Sequence, residues 1–320
     1  MISPRDLDAQ FGLDISRSIK CGYHRVYEAG GDLRKLILDF PNAVILWDVD
    51  HPGAHSPLDP LFIGKVGKLL SELVGPQRVF AISDKLASKI EQVTNDEHQV
   101  FVHNVLRKDN AVAVDIYSRL VESVLSNRPM GIEFFFGKGA KKKQEVRLTE
   151  SSHRALSIDA LKNLLQRQGV APRLANQVAQ ACDELLLNAI YNAPVGPGGK
   201  RYRKQQDRIE AFEFDDIEEI KLSMMSNEHF FGICVKDQFG SLDLERLIPS
   251  LYRSYGTDGY DPAMDHASGL GLNKALDAGF SLFLAASAGE WTEAMLFFPR
   301  TKTHAEFKKS FRFLSAVWRA

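Results

Sequence analysis

Glu184, Asn188 and Asn192 fall at i, i+4 and i+8 within the stretch Asp183-Glu184-Leu185-Leu186-Leu187-Asn188-Ala189-Ile190-Tyr191-Asn192-Ala193. On a helix these three side chains form one polar line. Leu185, Leu186, Leu187, Ala189 and Ile190 beside them are apolar, so the line is set in a surface suited to burial. A carboxylate and two carboxamides in such a place are costly unless they meet partners. A cation and a phosphorylated ligand are partners of the right chemistry. A capped, solvated helix face is the alternative.

Two glycine signals follow. In Phe231-Gly232-Ile233-Cys234-Val235-Lys236-Asp237-Gln238-Phe239-Gly240 an apolar strand ends in an Asp and a turn glycine. Ser268-Gly269-Leu270-Gly271-Leu272 opens an apolar helix, Asn273 to Ala278. Glycines before a helix let backbone N–H groups approach a phosphate, and the helix N-terminus adds positive potential. Each signal alone is common in turns. The ordered set of acidic-amide helix, strand-Asp-Gly and Gly-x-Gly-Leu is far more specific.

That set resembles the ATP-binding domain shared by gyrase, histidine kinases, the MutL mismatch-repair ATPase and one class of heat-shock chaperones (the GHKL or Bergerat fold). Within it, Glu184-x-x-x-Asn188-Ala189 is most similar to bacterial anti-sigma-factor serine kinases, since histidine kinases more often carry Asn where Glu184 stands. The resemblance covers residues 144 to 300. It implies ATP and Mg²⁺ as cofactors. Asn188 would ligate Mg²⁺, and Glu184 would be the general base on a hydroxyl or water. Asp237 would accept from the adenine amino group. Gly269 and Gly271 would border the lid over the phosphates, with Asn192, Gly240 and Leu272 completing the nucleotide site. The family's turn is Asp-x-Gly-x-Gly, whereas here Phe239 and Ser241 replace both glycines, and Gly240 is left to turn the chain from a shifted place. Thr292, before the strand Ala294 to Phe298, fits the family's adenine-side threonine, although a Thr opening a strand is ordinary β chemistry.

Composition sets the frame for these motifs. A chain of 320 residues favours two domains. Apolar content of 44% and charged content of 25% fit a globular protein. A net charge of −1 supplies no field to recruit nucleic acid or an anionic membrane. No run is long and apolar enough to span a bilayer, and Met1-Ile2-Ser3-Pro4-Arg5-Asp6 lacks a signal core. Cys21, Cys182 and Cys234 are scattered without metal-ligand spacing, which suits reduced thiols and a cytoplasmic location.

The elements that must position the site divide near 127 to 144, where Asn127-Arg128-Pro129 ends a helical pattern and Gly137 to Lys143 is basic and glycine-containing. The expected division is a domain over 1–128, a linker over 129–144, an ATP-binding domain over 145–302 and a helical tail over 303–320. In the first half, strands Arg25–Ala29, Ala43–Trp47, Arg78–Ser83 and Val100–Val102 alternate with helices Asp32–Asp39, Pro60–Leu73, Lys85–Val93 and Ala111–Leu125. Apolar strands between helices predict a parallel sheet covered on both faces, with ligands at the strands' carboxyl ends. The fold class is thus α/β.

Asp48 sits at one such end, in Trp47-Asp48-Val49-Asp50-His51-Pro52-Gly53. This resembles the response-regulator receiver domain, of flavodoxin-like fold, which makes Asp48 the candidate phosphoacceptor. Ser83 matches that family's small hydroxyl residue. The family's acidic pair after a first strand is replaced by about Arg5 and Asp6, and Lys108 is only a loose match for its lysine. Such groups neutralise phosphoryl charge, so a degenerate receiver that senses or binds is expected. His51 and His55 stand four apart, but Pro52, Gly53 and Pro57 argue against a helical metal pair.

In the second half, Glu145–Leu148, Ile217–Met225, Phe230–Val235, Leu282–Ala286 and Ala294–Phe298 read as strands. Leu156–Gln168 and Arg173–Asn192 read as helices. A mixed sheet with helices on one face is expected, with Pro194 to Lys204 a mobile loop and 241–268 a lid. The leading expectation is a signalling regulator that transfers a phosphoryl group from Mg·ATP to Ser or Thr of a partner protein: a sigma factor, an anti-sigma antagonist or another signalling protein. A non-catalytic binding module is the competing class, and an ATP-driven clamp that forms a homodimer is a third.

Overall fold

The computed structural model describes residues 1–2, 6–23, 31–50, 60–83, 104–107, 111–126, 131–137, 140–208, 210–215, 218–243, 247, 272, 275–276, 278–301, 306–307 and 313–319. The chain is mixed α/β and forms two compact units that part between Arg128 and Pro129, with most of the last strand returning to the first unit. No helix among the described residues is long and apolar enough to cross a membrane.

The first unit contains helices α1 (Asp6–Ser18), α2 (Gly31–Asp39), α3 (Pro60–Val74) and α4 (Ala111–Ser126). Strands β1 (Ile45–Asp48), β2 (Val79–Ser83) and β3 (Asn104–Arg107) run parallel in the order β1-β2-β3. Every residue of β1 and β2 is buried, as apolar strands between helices require. Ile2 makes a parallel bridge to Trp47, and Asp6 opens α1. Tyr117 of α4 is fully buried, with the rings of Phe11 and Phe313 each 6.0 Å away, edge to face. The expected strand Arg25–Ala29 and helix Lys85–Val93 lie outside the described residues. So does Val100–Val102, and the strand that is described begins at Asn104.

The expectation for the tail is corrected. Within 303–320, Phe313–Arg319 is a strand, β9, antiparallel to β3, not a helix. Phe313, Leu314, Ser315, Ala316 and Val317 are all buried, and β3 supplies a pairing edge far away in sequence.

The second unit begins inside the expected linker. There Ile132–Phe136 forms a short helix, α5, whose Ile132, Phe135 and Phe136 are buried. Phe135 lies 5.0 Å from both Phe283 and Phe297, and Phe136 lies 4.7 Å from Phe230. Each buried ring is worth roughly 2–3 kcal/mol, which fixes the segment to the sheet. Gly232 makes room for it: a Cβ there would stand 2.8 Å from the Phe136 ring.

The sheet itself has β4 (Gln144–Leu148), β5 (Ile220–Ser226), β6 (Phe230–Asp237), β7 (Ser281–Ser287) and β8 (Trp291–Pro299). Their order is β4-β5-β6-β8-β7, and these four pairings are antiparallel. Helices α6 (His153–Arg167) and α7 (Pro172–Leu187) pack on each other and against this sheet. Residues alternate across the strands. Phe231 and Phe298, stacked at 5.0 Å, lie opposite the α5 side. There Arg300 stands over the Phe231 ring and donates to the Gln168 carbonyl at the end of α6 at 3.1 Å. Helices thus cover both faces instead of one.

Candidate functional site

Helix α7 starts with Pro172 at its first turn, where a missing N–H costs nothing. Leu174, Val178, Cys182, Leu185 and Leu186 are buried, while Glu184 is half-buried. Next to it, Asp183 is held by Arg154 of α6 at 2.5 Å. The regular helix stops at Leu187. Asn188–Asn192 forms one wide π-helical turn, closed by the Ala193 N–H on the Asn188 carbonyl at 2.8 Å. The expected single helix to Asn192 therefore changes winding at the first asparagine. Asn192 Nδ2 donates to Asn188 Oδ1 at 2.8 Å, so the two carboxamides remain aligned. Such turns recur at functional sites because they rotate side chains off the helical repeat.

Asp237 ends β6 and is 5% exposed. Its Oδ1 accepts the Phe239 N–H at 3.0 Å. Burial pushes its carboxyl up to about 6, against the opposing pull of the Phe239 and Gly240 N–H groups and of Thr292. Thr292 stands directly across from it on β8. The Thr292 hydroxyl acts on the carboxylate as a weak hydrogen-bond donor that favours its ionised form, yet Oγ1 is buried and closes no hydrogen bond of full geometry among the described residues. A buried carboxylate beside an orphan hydroxyl is an arrangement that a ligand's donor and acceptor pair would satisfy.

Gly240 does the turning expected of it. Its φ is +55°, and a Cβ there would collide with the Ser287 carbonyl oxygen and stand 2.7 Å from Glu290 N. Phe239 beside it is buried. Ser241 Oγ donates to the Ala193 carbonyl at 2.6 Å and ties this turn to the end of the wide turn. In the sequence Ser241 stands only in the place of a family glycine, and its hydroxyl is the one local signal of this link.

Leu272 is helical and buried. Gly269, Gly271 and most of the lid over 241–268 lie outside the described residues. Among the described site residues, the structure joins Asp237 to Thr292, Asn188 to Asn192, and the Gly240 turn to the end of that helix. Glu184 shares the helix at the head of the line.

The loop Pro194 to Lys204, expected to be mobile, is anchored. Gly196 N–H meets the Lys200 carbonyl at 3.0 Å, and Val195 bridges Arg201. The buried Glu218 carboxylate accepts from Tyr202, Arg203 and the Asp215 N–H. Burial raises the Glu218 carboxyl, but these bonds together leave it below its ordinary value. Arg203 also stands 4.6 Å over the Phe212 ring. Nothing local in the basic run announces Glu218 as its partner.

On the α5 side of the sheet lies a polar cavity of about 460 Å³, lined among others by Lys143, Glu145, Lys236, Trp291 and Glu293. Lys143 pairs with Glu133 at 2.5 Å and Glu145 at 2.7 Å, and Lys236 pairs with Glu293 at 3.0 Å. The second Glu293 oxygen, Oε2, is buried there and closes no hydrogen bond among the described residues.

In the first unit, Asp48 is fully buried and its Oδ1 accepts the Asp50 N–H at 3.0 Å. Ser83 Oγ donates to Asp50 Oδ1 at 2.8 Å. Asp48 and Ser83 end adjacent parallel strands, whereas Lys108 lies outside the described residues.

No protein-family model matches the chain, and no curated protein matches it in sequence.

Proposed function

We propose that the second unit is a GHKL-type domain that binds Mg·ATP and passes a phosphoryl group to Ser or Thr of a partner protein, and that the first unit is a receiver-like regulator. The observation that carries this reading is Asp237, 5% exposed at the end of an apolar strand, opposite a Thr292 hydroxyl that has no hydrogen-bond partner among the described residues. An adenine edge offers the donor and acceptor that this pair needs. The group also fits the helix, where Asn188 and Asn192 present carboxamide oxygens, the hard donors that Mg²⁺ takes. Bound Mg²⁺ would neutralise phosphate charge during transfer. Glu184, half-buried on the same helix, would accept the proton of an incoming hydroxyl. Asp48 and Ser83, at the ends of neighbouring parallel strands, support the receiver-like reading of the first unit.

The buried Phe239, standing where the family has glycine, favours a second reading: a partner-binding module that no longer takes nucleotide. Calorimetry with ATP and Mg²⁺ separates the two. Heat saturating at one site supports the kinase reading; no heat at high nucleotide concentration supports the binding module.

A further inference from the structure

We infer that Ser241 is a positioning residue that sets the presentation of Asn188 and Asn192, an inference that rests on the nucleotide reading above. Ala193 is gripped from both sides. Its N–H closes the wide turn on the Asn188 carbonyl at 2.8 Å, and its own carbonyl takes the Ser241 hydroxyl at 2.6 Å. A carbonyl just past a helix end has no partner within the helix, so this bond satisfies a group that the wide turn would otherwise leave open.

The donor is itself fixed. Gly240, at φ +55°, is wedged against the turn between β7 and β8, whose Gly289 N–H donates to the Gly240 carbonyl at 3.3 Å. Asp237 holds the other end of the segment through the Phe239 N–H at 3.0 Å. The five-residue run from Asp237 to Ser241 therefore links the carboxylate on the sheet to the carboxamides on the helix. Glycine at 241 would lack the hydroxyl and could not make this link. In this chain the hydroxyl compensates for a turn that has moved to Gly240: the strand-end turn is rigid, and the helix end is set from it.

The consequence is selective. Loss of the bond loosens the wide turn and the carboxamides it carries, while Asp237 and Thr292 keep their strand pairing. Binding of the base is then preserved, and binding that depends on the cation is not.

The experiment measures adenosine and Mg·ATP affinity by calorimetry in the full chain for the wild type, Ser241→Ala and Ser241→Thr. Amide hydrogen exchange over 188–193 is followed without nucleotide. Ser241→Ala is expected to keep adenosine affinity and to weaken Mg·ATP about five- to tenfold, the worth of one neutral hydrogen bond. Exchange at the Ala193 amide is expected to quicken, and Ser241→Thr to restore both. Equal weakening of adenosine and Mg·ATP overturns the inference, since Ser241 would then act on the base side. Unchanged Mg·ATP affinity in Ser241→Ala also overturns it. A wild type that binds neither ligand defeats the nucleotide reading itself, which the wild-type titration shows separately.

Discussion

Asp48 and Asp237 begin alike and end differently. Each closes a buried strand, and each carboxylate accepts the N–H two residues on at 3.0 Å. Asp48 ends a parallel strand, and the turn after it is tied to the next strand by the Ser83 hydroxyl on Asp50. Asp237 ends an antiparallel strand opposite a hydroxyl that closes no hydrogen bond among the described residues, and burial holds its carboxyl near 6. The same turn chemistry thus serves two environments. What distinguishes them is the group across the sheet, and the unfinished polar pair is the one that invites a ligand.

Removing chemistry at the second unit breaks the comparison most sharply. Glu184→Ala should lower phosphoryl transfer about 10²–10⁴-fold, the usual worth of a general base, while Mg·ATP still binds by calorimetry. Asp48→Asn should leave transfer by the isolated reaction unchanged. Equal transfer by the Glu184 variant removes that residue's role.

Next in size is a pH effect. The folded carboxyl of Asp237 titrates near 6 against an ordinary 3.8, so the folded state holds its proton longer. Its contribution to stability is complete below the ordinary value and is lost as pH rises through about 6. The difference amounts to about 3 kcal/mol at most, at 1.36 kcal/mol per unit. Urea unfolding between pH 4 and 7 should show this fall in the wild type and not in Asp237→Asn.

A smaller effect tests the ligand side. Asp237→Asn should weaken nucleotide binding roughly 10–100-fold through loss of a charged acceptor, and the same change at Asp48 should not. Wild-type affinity should likewise decline as pH falls below about 6, where Asp237 takes up its proton. The smallest effect sharpens the contrast from the other side. Ser83→Ala should cost about 1 kcal/mol in thermal unfolding for its lost bond to Asp50, without altering nucleotide affinity.

Much of the second unit was legible because local period suffices there. Asp237 ends its strand, and Gly240 turns the chain as its placement suggested. The wide turn was not legible, since a spacing of four aligns Glu184, Asn188 and Asn192 in either winding. Helix α5 was hidden because Glu133-Phe134-Phe135-Phe136 is too short to show a period and stands beside a basic, glycine-containing run. Strand β9 read as helix because its pairing edge, β3, is far away along the chain.

By itself the sequence determined the polar line of Glu184, the buried strands and their acidic ends. These follow from the 3.6 and 2.0 periodicities of side chains, which any segment carries within itself. Only the tertiary structure decided that Ser241 would hold Ala193, that Glu218 would anchor the basic loop, and that Thr292 would face Asp237. Each of these joins groups far apart in the chain. Their worth lies in burial and hydrogen-bond geometry, which exist only once the sheet and helices have come together.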